Sequence, residues 1–124
     1  QAKFELVAAF VHREGDEGLR IDRLGHAGIL PPDYALGANF PNPFNPSTSI
    51  NYALPRAGAT RLTIYDVLGR KVRTLVDDNE HRAGFYTAVW DGRDEHSRVV
   101  ASGVYFYLLE AGTLRQARKM VLVQ

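Results

Sequence analysis

Cysteine is absent from these 124 residues. That excludes a disulfide framework, a thiol nucleophile and any metal site built on thiolate ligands. An excess of charge of one sign is missing too, since Lys+Arg is 15 against Asp+Glu 14, a net charge of +1. Bulk electrostatics therefore give no case for nucleic acid or an anionic membrane as partner. The arginines are scattered from Arg13 to Arg118 and form no basic run. No apolar stretch approaches the roughly 20 residues of a membrane-spanning helix. There is no Gly-x-Ser-x-Gly nucleophile elbow and no phosphate-binding loop. His12, His26, His81 and His96 stand in separate polar contexts and offer no pattern for a metal or acid–base site. The chain opens at Gln1 without a basic n-region, so the expectation is a processed or excised piece of a longer protein.

What is present is a series of short alternating segments separated by turn residues. Ile50, Tyr52 and Leu54 alternate with polar or small neighbours, and Pro55-Arg56-Ala57-Gly58 ends that run. Leu62 and Ile64 alternate within 60–67, before the tight turn Leu68-Gly69-Arg70. A return strand over 71–76 is closed by the polar run Asp77-Asp78-Asn79-Glu80. Gly84 to Trp90 is rich in β-formers, with Asp91-Gly92 read as a hairpin turn after it. Val104-Tyr105-Phe106-Tyr107-Leu108-Leu109 is apolar on both faces, which suits a central strand covered on both sides or showing one aromatic face. Ala111-Gly112-Thr113 turns it into a last strand, 114–123. The spacing predicts an all-β chain: an immunoglobulin-like antiparallel β-sandwich of about seven short strands.

The first third is ordered differently. Residues 4–11 fit a short strand or a short helix, because an apolar run of that length does not discriminate. Leu19 to Leu24 alternates as a strand, and the two runs together suggest an appended hairpin. Gly25 to Asn39, with Pro31-Pro32, reads as a linker. The expected division is 1–33 as the end of a preceding domain plus linker, and 34–124 as the sandwich.

Between them lies Phe40-Pro41-Asn42-Pro43-Phe44-Asn45-Pro46-Ser47-Thr48. Each proline fixes its own φ and removes a donor, and each restricts the residue before it. Asn42 and Asn45 can close bends through their side chains. The stretch should be a stiff elbow, pinned by its phenylalanines at the entrance to the sandwich.

Four further motifs follow in order: Ile64-Tyr65-Asp66-Val67-Leu68-Gly69-Arg70-Lys71-Val72, Trp90-Asp91-Gly92-Arg93-Asp94, Ala101-Ser102-Gly103-Val104-Tyr105-Phe106-Tyr107 and Arg118-Lys119-Met120-Val121-Leu122-Val123. With the proline-rich stretch, this order resembles the C-terminal sorting domain of the type IX (Por) secretion system. It is also similar to the related immunoglobulin-like domain of the flagellar-hook-capping protein. The resemblance implies a non-catalytic tail of a larger exported protein of a Gram-negative bacterium. Such a tail reaches the periplasm and is recognised by an outer-membrane translocon. A sortase-like peptidase often removes it, leaving the cargo secreted or on the cell surface. The recognition motifs implied here are Pro41, Asn42, Pro43, Gly103, Tyr105, Lys119, Met120, Val121, Leu122 and Val123. No cofactor and no enzyme activity are implied. Any processing site would fall in the linker around 30–39, and removal of 119–124 is expected to abolish export while leaving the fold largely intact.

Competing readings attach to particular residues. Asp91, Asp94 and Glu95 share a loop and invite a calcium site, but their spacing is not that of an EF-hand, and turn chemistry explains them. Trp90, Tyr86, Tyr105 and Tyr107 could form an aromatic platform of a carbohydrate-binding module, against the commoner fate of core packing. A purely structural immunoglobulin-like module is the remaining alternative. A last strand at a sheet edge could receive a partner strand, whereas its charges Arg115, Arg118 and Lys119 could equally serve to guard that edge.

Overall fold

The computed structural model describes residues 19–21 and 27–124. Among the described residues nine strands run in chain order: β1 (Leu19–Ile21), β2 (Ala27–Ile29), β3 (Ala35–Leu36), β4 (Thr48–Leu54), β5 (Gly58–Asp66), β6 (Lys71–His81), β7 (Gly84–Trp90), β8 (Gly103–Ala111) and β9 (Leu114–Leu122). β1 and β2 pair with each other. The other seven make two antiparallel sheets, one in the order β3-β4-β7 and one in the order β6-β5-β8-β9. The first, second and fifth of these seven share one sheet; the fourth, third, sixth and seventh share the other. That is an immunoglobulin-type sandwich with its fourth strand on the second sheet.

Alternation makes the core. Ile50, Tyr52 and Leu54 of β4 face Leu62 and Ile64 of β5 and Tyr107 and Leu109 of β8, all buried, with Met120 and Leu122 of β9 beside them. The two-residue period of a strand sends the intervening side chains outward. β8 lies centrally, flanked by β5 and β9. Its inner residues Tyr105, Tyr107 and Leu109 are core, while Val104, Phe106 and Leu108 are half-buried on the outer face.

Several sequence expectations are corrected. The Asp77–Glu80 run is not a closing turn; it continues β6 to His81, with Asp77 and Asp78 opposite Arg61 and Thr60. β6 is an edge strand, where exposed charge is tolerated on an uncovered margin. Asp91-Gly92 is not a hairpin turn, since β7 and β8 belong to different sheets and the 91–102 segment crosses between them. Gly92, at φ 77°, provides the bend there, and a Cβ on it would press Pro46 O at 3.1 Å. The expected linker contains β2 and β3. Leu19–Ile21 pairs with β2, and residues 4–11, the other run of the expected hairpin, lie outside the described residues.

Two turns share one design. In Asp66-Val67-Leu68-Gly69-Arg70, the Asp66 carboxylate accepts the N–H groups of Leu68 and Arg70 and the Arg70 guanidinium, at 2.9, 2.9 and 2.8 Å. In Asp94-Glu95-His96-Ser97-Arg98, Asp94 accepts His96 N–H, Arg98 N–H and the Arg98 guanidinium, at 2.8, 3.0 and 3.2 Å. The fourth residue has positive φ in both, Gly69 at 80° and Ser97 at 63°. The backbone donor of Arg70 holds the Asp66 carboxyl below its usual range, and that of Arg98 does the same for Asp94.

Candidate functional site

The proline-rich stretch is fastened at both flanks. On one side, Phe40 exchanges two backbone bonds of 2.9 Å with Ser49 at the start of β4. Thr48 Oγ1 and Asn39 Nδ2 both donate to Pro41 O, at 2.8 and 3.3 Å, which fixes the carbonyl of a residue that has no N–H of its own. On the other side, Phe44 N–H donates to Val121 O at 3.0 Å and Phe44 O accepts Val123 N–H at 2.9 Å. Asn42 Oδ1 accepts Val121 N–H at 3.0 Å. The loop thus lies along the outer margin of the last strand and caps its C-terminal half.

Beneath the loop is an aromatic stack. Phe44, 2% exposed, meets Trp90 at a ring-centroid distance of 5.7 Å, and Trp90 meets Tyr105 edge-on at 5.3 Å. Trp90 Nε1 donates to Arg93 O at 2.9 Å, so the buried indole is satisfied. Tyr105 Oη donates to Ala101 O, four residues upstream, at 2.6 Å. Placed where the chain enters β8 after crossing between sheets, this is a tyrosine corner.

The ten residues singled out from sequence converge at this one end. Gly103 pairs with Leu122, Tyr105 with Met120 and Val104 with Val121, and Asn42 reaches Val121. Exposure then separates them. Pro41, Asn42, Pro43, Lys119 and Val123 are exposed. Tyr105, Met120 and Leu122 are buried core, while Gly103 and Val121 are half-buried. Gly103 has φ 150°, which L side chains rarely adopt, so its backbone accounts for the glycine. Because Met120 and Leu122 fill the core, the expectation that 119–124 can be removed with the fold left largely intact is overturned.

The sequence reading missed a feature of this end. Phe40, Val67, Leu68, Val99 and Val123 are all strongly exposed, and all sit in its connections or at its chain end. An apolar pair inside a turn, Val67-Leu68, was the available signal, since a turn at the surface favours polar residues. The terminal residue is held as well: Gln124 N–H donates to Ser102 Oγ at 2.9 Å, and its side-chain amide donates to Val100 O.

The calcium candidates point to separate partners. Asp91 accepts from Arg73 and from Arg93 N–H, Asp94 is saturated by its own turn, and Glu95 accepts Thr74 N–H at 2.8 Å. The aromatic platform is not formed: Trp90 and Tyr107 are fully buried, Tyr105 nearly so, and Tyr86 is stacked on buried Tyr52 at 5.5 Å. Tyr107 Oη donates to Gly37 O at 2.7 Å across the sandwich. Desolvation pushes its phenol up to about 12. At the opposite end, a shallow open groove of about 440 Å³ is lined by Arg61, Asp77, Asp78, Glu110 and Arg115. Two of its carboxylates face cations there, Asp77 with Arg61 at 3.8 Å and Glu110 with Arg115 at 3.3 Å.

No family model and no curated protein matches the chain. Among solved structures, it is similar to part of dimeric latent PorU from Porphyromonas gingivalis, with a TM-score of 0.54 and 18% identity over 79% of this chain. A second match is PorZ, an essential bacterial surface component of the type-IX secretion system of the same organism, with a TM-score of 0.46 and 20% identity over 73% of this chain. A third is FlgD from P. aeruginosa, with a TM-score of 0.47 and 18% identity, covering 60% of this chain and 58% of that one. The chain spans 10% of the PorU chain and 11% of the PorZ chain. At such identity the PorU likeness establishes the fold alone. Among the described residues no helix is long and apolar enough to cross a membrane.

Proposed function

We propose that residues 34–124 are a non-catalytic C-terminal sorting domain, which directs a larger exported protein through the outer membrane of a Gram-negative bacterium to the cell surface. The five ordered motifs support the reading. So does the joining of two of them into one exposed feature, with Asn42 and Phe44 bonded to Val121 and Val123 beside the chain end. A translocon would read the exposed members, Pro41, Asn42, Pro43, Lys119 and Val123. Tyr105, Met120 and Leu122 would act from beneath, by holding that surface in shape. A sortase-like peptidase would act upstream of β3, in the connection that follows β2.

The test is a periplasmic reporter fused to 34–124 in a host with type IX secretion. The fusion should reach the surface. A variant carrying Pro41→Ala, Asn42→Ala and Val123→Asp should stay periplasmic with unchanged circular dichroism. Retention of the unaltered fusion in the periplasm would reject the reading.

A further inference from the structure

β9 is an edge strand with two unlike halves. Val121 turns its N–H and C=O away from β8, to Asn42 and Phe44. In an antiparallel strand this direction alternates with a period of two, so Arg115, Ala117 and Lys119 turn theirs outward as well. Among the described residues no other strand lies on that side of β9. The proline-rich loop seals only the C-terminal half, leaving three successive outward-facing residues as a template for strand addition.

The side chains specify what would be added. Arg115, Ala117 and Lys119 lie on the exposed outer face, where each continues a row across the sheet. One row reads Asp77, Arg61, Glu110, Arg115, alternating in sign. Another reads Lys71, Tyr65, Phe106, Lys119, and ends on an exposed cation. The row between them, Thr74, Thr63, Leu108, Ala117, carries no charge. A next strand therefore meets a cation, a small apolar residue and a cation. Opposite charges facing each other across strands are favourable, and like charges are not. A second copy paired about Ala117 would set Arg115 against Lys119, so self-association is disfavoured.

We propose that the free half of β9 captures an extended protein segment of the pattern acidic-x-small-x-acidic, its two carboxylates facing Arg115 and Lys119. This deepens the sorting reading by naming the chemistry of the partner, and rests on that reading only for the partner's identity. The probe is a capped Val-Glu-Val-Ala-Val-Glu-Val peptide titrated into the full chain, followed by amide NMR shifts and hydrogen exchange. The expected result is slowed exchange at Arg115, Ala117 and Lys119. The same peptide with Lys replacing Glu should bind about tenfold more weakly, as two lost charge pairs imply.

Ala117→Pro removes an outward N–H that β8 does not use, so binding should vanish while the thermal midpoint holds. If that variant fails to fold, Arg115→Glu with Lys119→Glu should instead reverse the preference toward the lysine peptide. The proposal is overturned by equal binding of the two peptides, by protection elsewhere, or by concentration-dependent exchange in the peptide-free chain, which would make a second copy the occupant. Surface export without peptide binding would remove this proposal and leave the sorting reading standing. Peptide binding without export would do the reverse.

Discussion

Ser97 carries a φ of 63° in a turn whose counterpart uses Gly69 at 80°. A non-glycine residue in the left-handed region is strained by about 1–2 kcal/mol, partly offset by the greater unfolded-state entropy of glycine. Ser97→Gly should therefore stabilise the domain by about 0.5–1 kcal/mol, and Gly69→Ser should destabilise it by a similar amount. Urea denaturation midpoints measure both; a lower midpoint for Ser97→Gly would show that the serine contributes more than its backbone costs. The Leu68-Gly69-Arg70 turn is legible in the sequence, whereas Asp94 to Arg98 reads only as part of a polar loop. What was not legible is that they fold alike, because serine does not announce a positive φ. Nor did sequence show that Asp94 Oδ1 already accepts two backbone donors.

At the scale of elements, the last strand is both surface and core. Its alternation puts Met120 and Leu122 at 0% and 1% exposure, while Lys119 faces solvent. Losing both buried side chains costs about 4–10 kcal/mol, comparable with the whole stability of a small domain. A chain truncated after Arg118 should lose its cooperative thermal transition, whereas Lys119→Ala should change stability by no more than about 0.5 kcal/mol. Circular dichroism melts of the two decide this, and a truncated chain that still melts cooperatively would contradict the core assignment. The strands over 48–66 and 103–122 were legible because alternation is local. β3 was not, as a two-residue strand has no period to read. β6 beyond Val76 was not either, because an exposed edge strand can carry the polar residues of a turn.

For the whole molecule, the two sheets are tied through tyrosines. Tyr107 reaches Gly37 O across the sandwich, and Tyr52 bonds His81 Nε2 at 2.8 Å where β6 passes to β7. Burial raises both phenols from 10.0 to about 12. Each therefore holds its proton more tightly in the folded state. The stability that this contributes is intact below pH 10 and is lost as pH climbs toward 12. Phenolate absorbance should show delayed ionisation of Tyr52, Tyr105 and Tyr107, concurrent with alkaline unfolding. Ionisation of Tyr52 and Tyr107 near 10 would refute the buried assignment.

The residues alone determined the strand periods, the stiffness of the proline elbow and the lack of thiol chemistry, since each depends only on near neighbours along the chain. Only the tertiary structure decided that the elbow lies on the last strand, that Tyr105 and Tyr107 face inward, and that among the described residues no strand pairs with the outer side of β9. Those outcomes depend on which strands pair and in what register, and register is a contact between residues far apart in sequence.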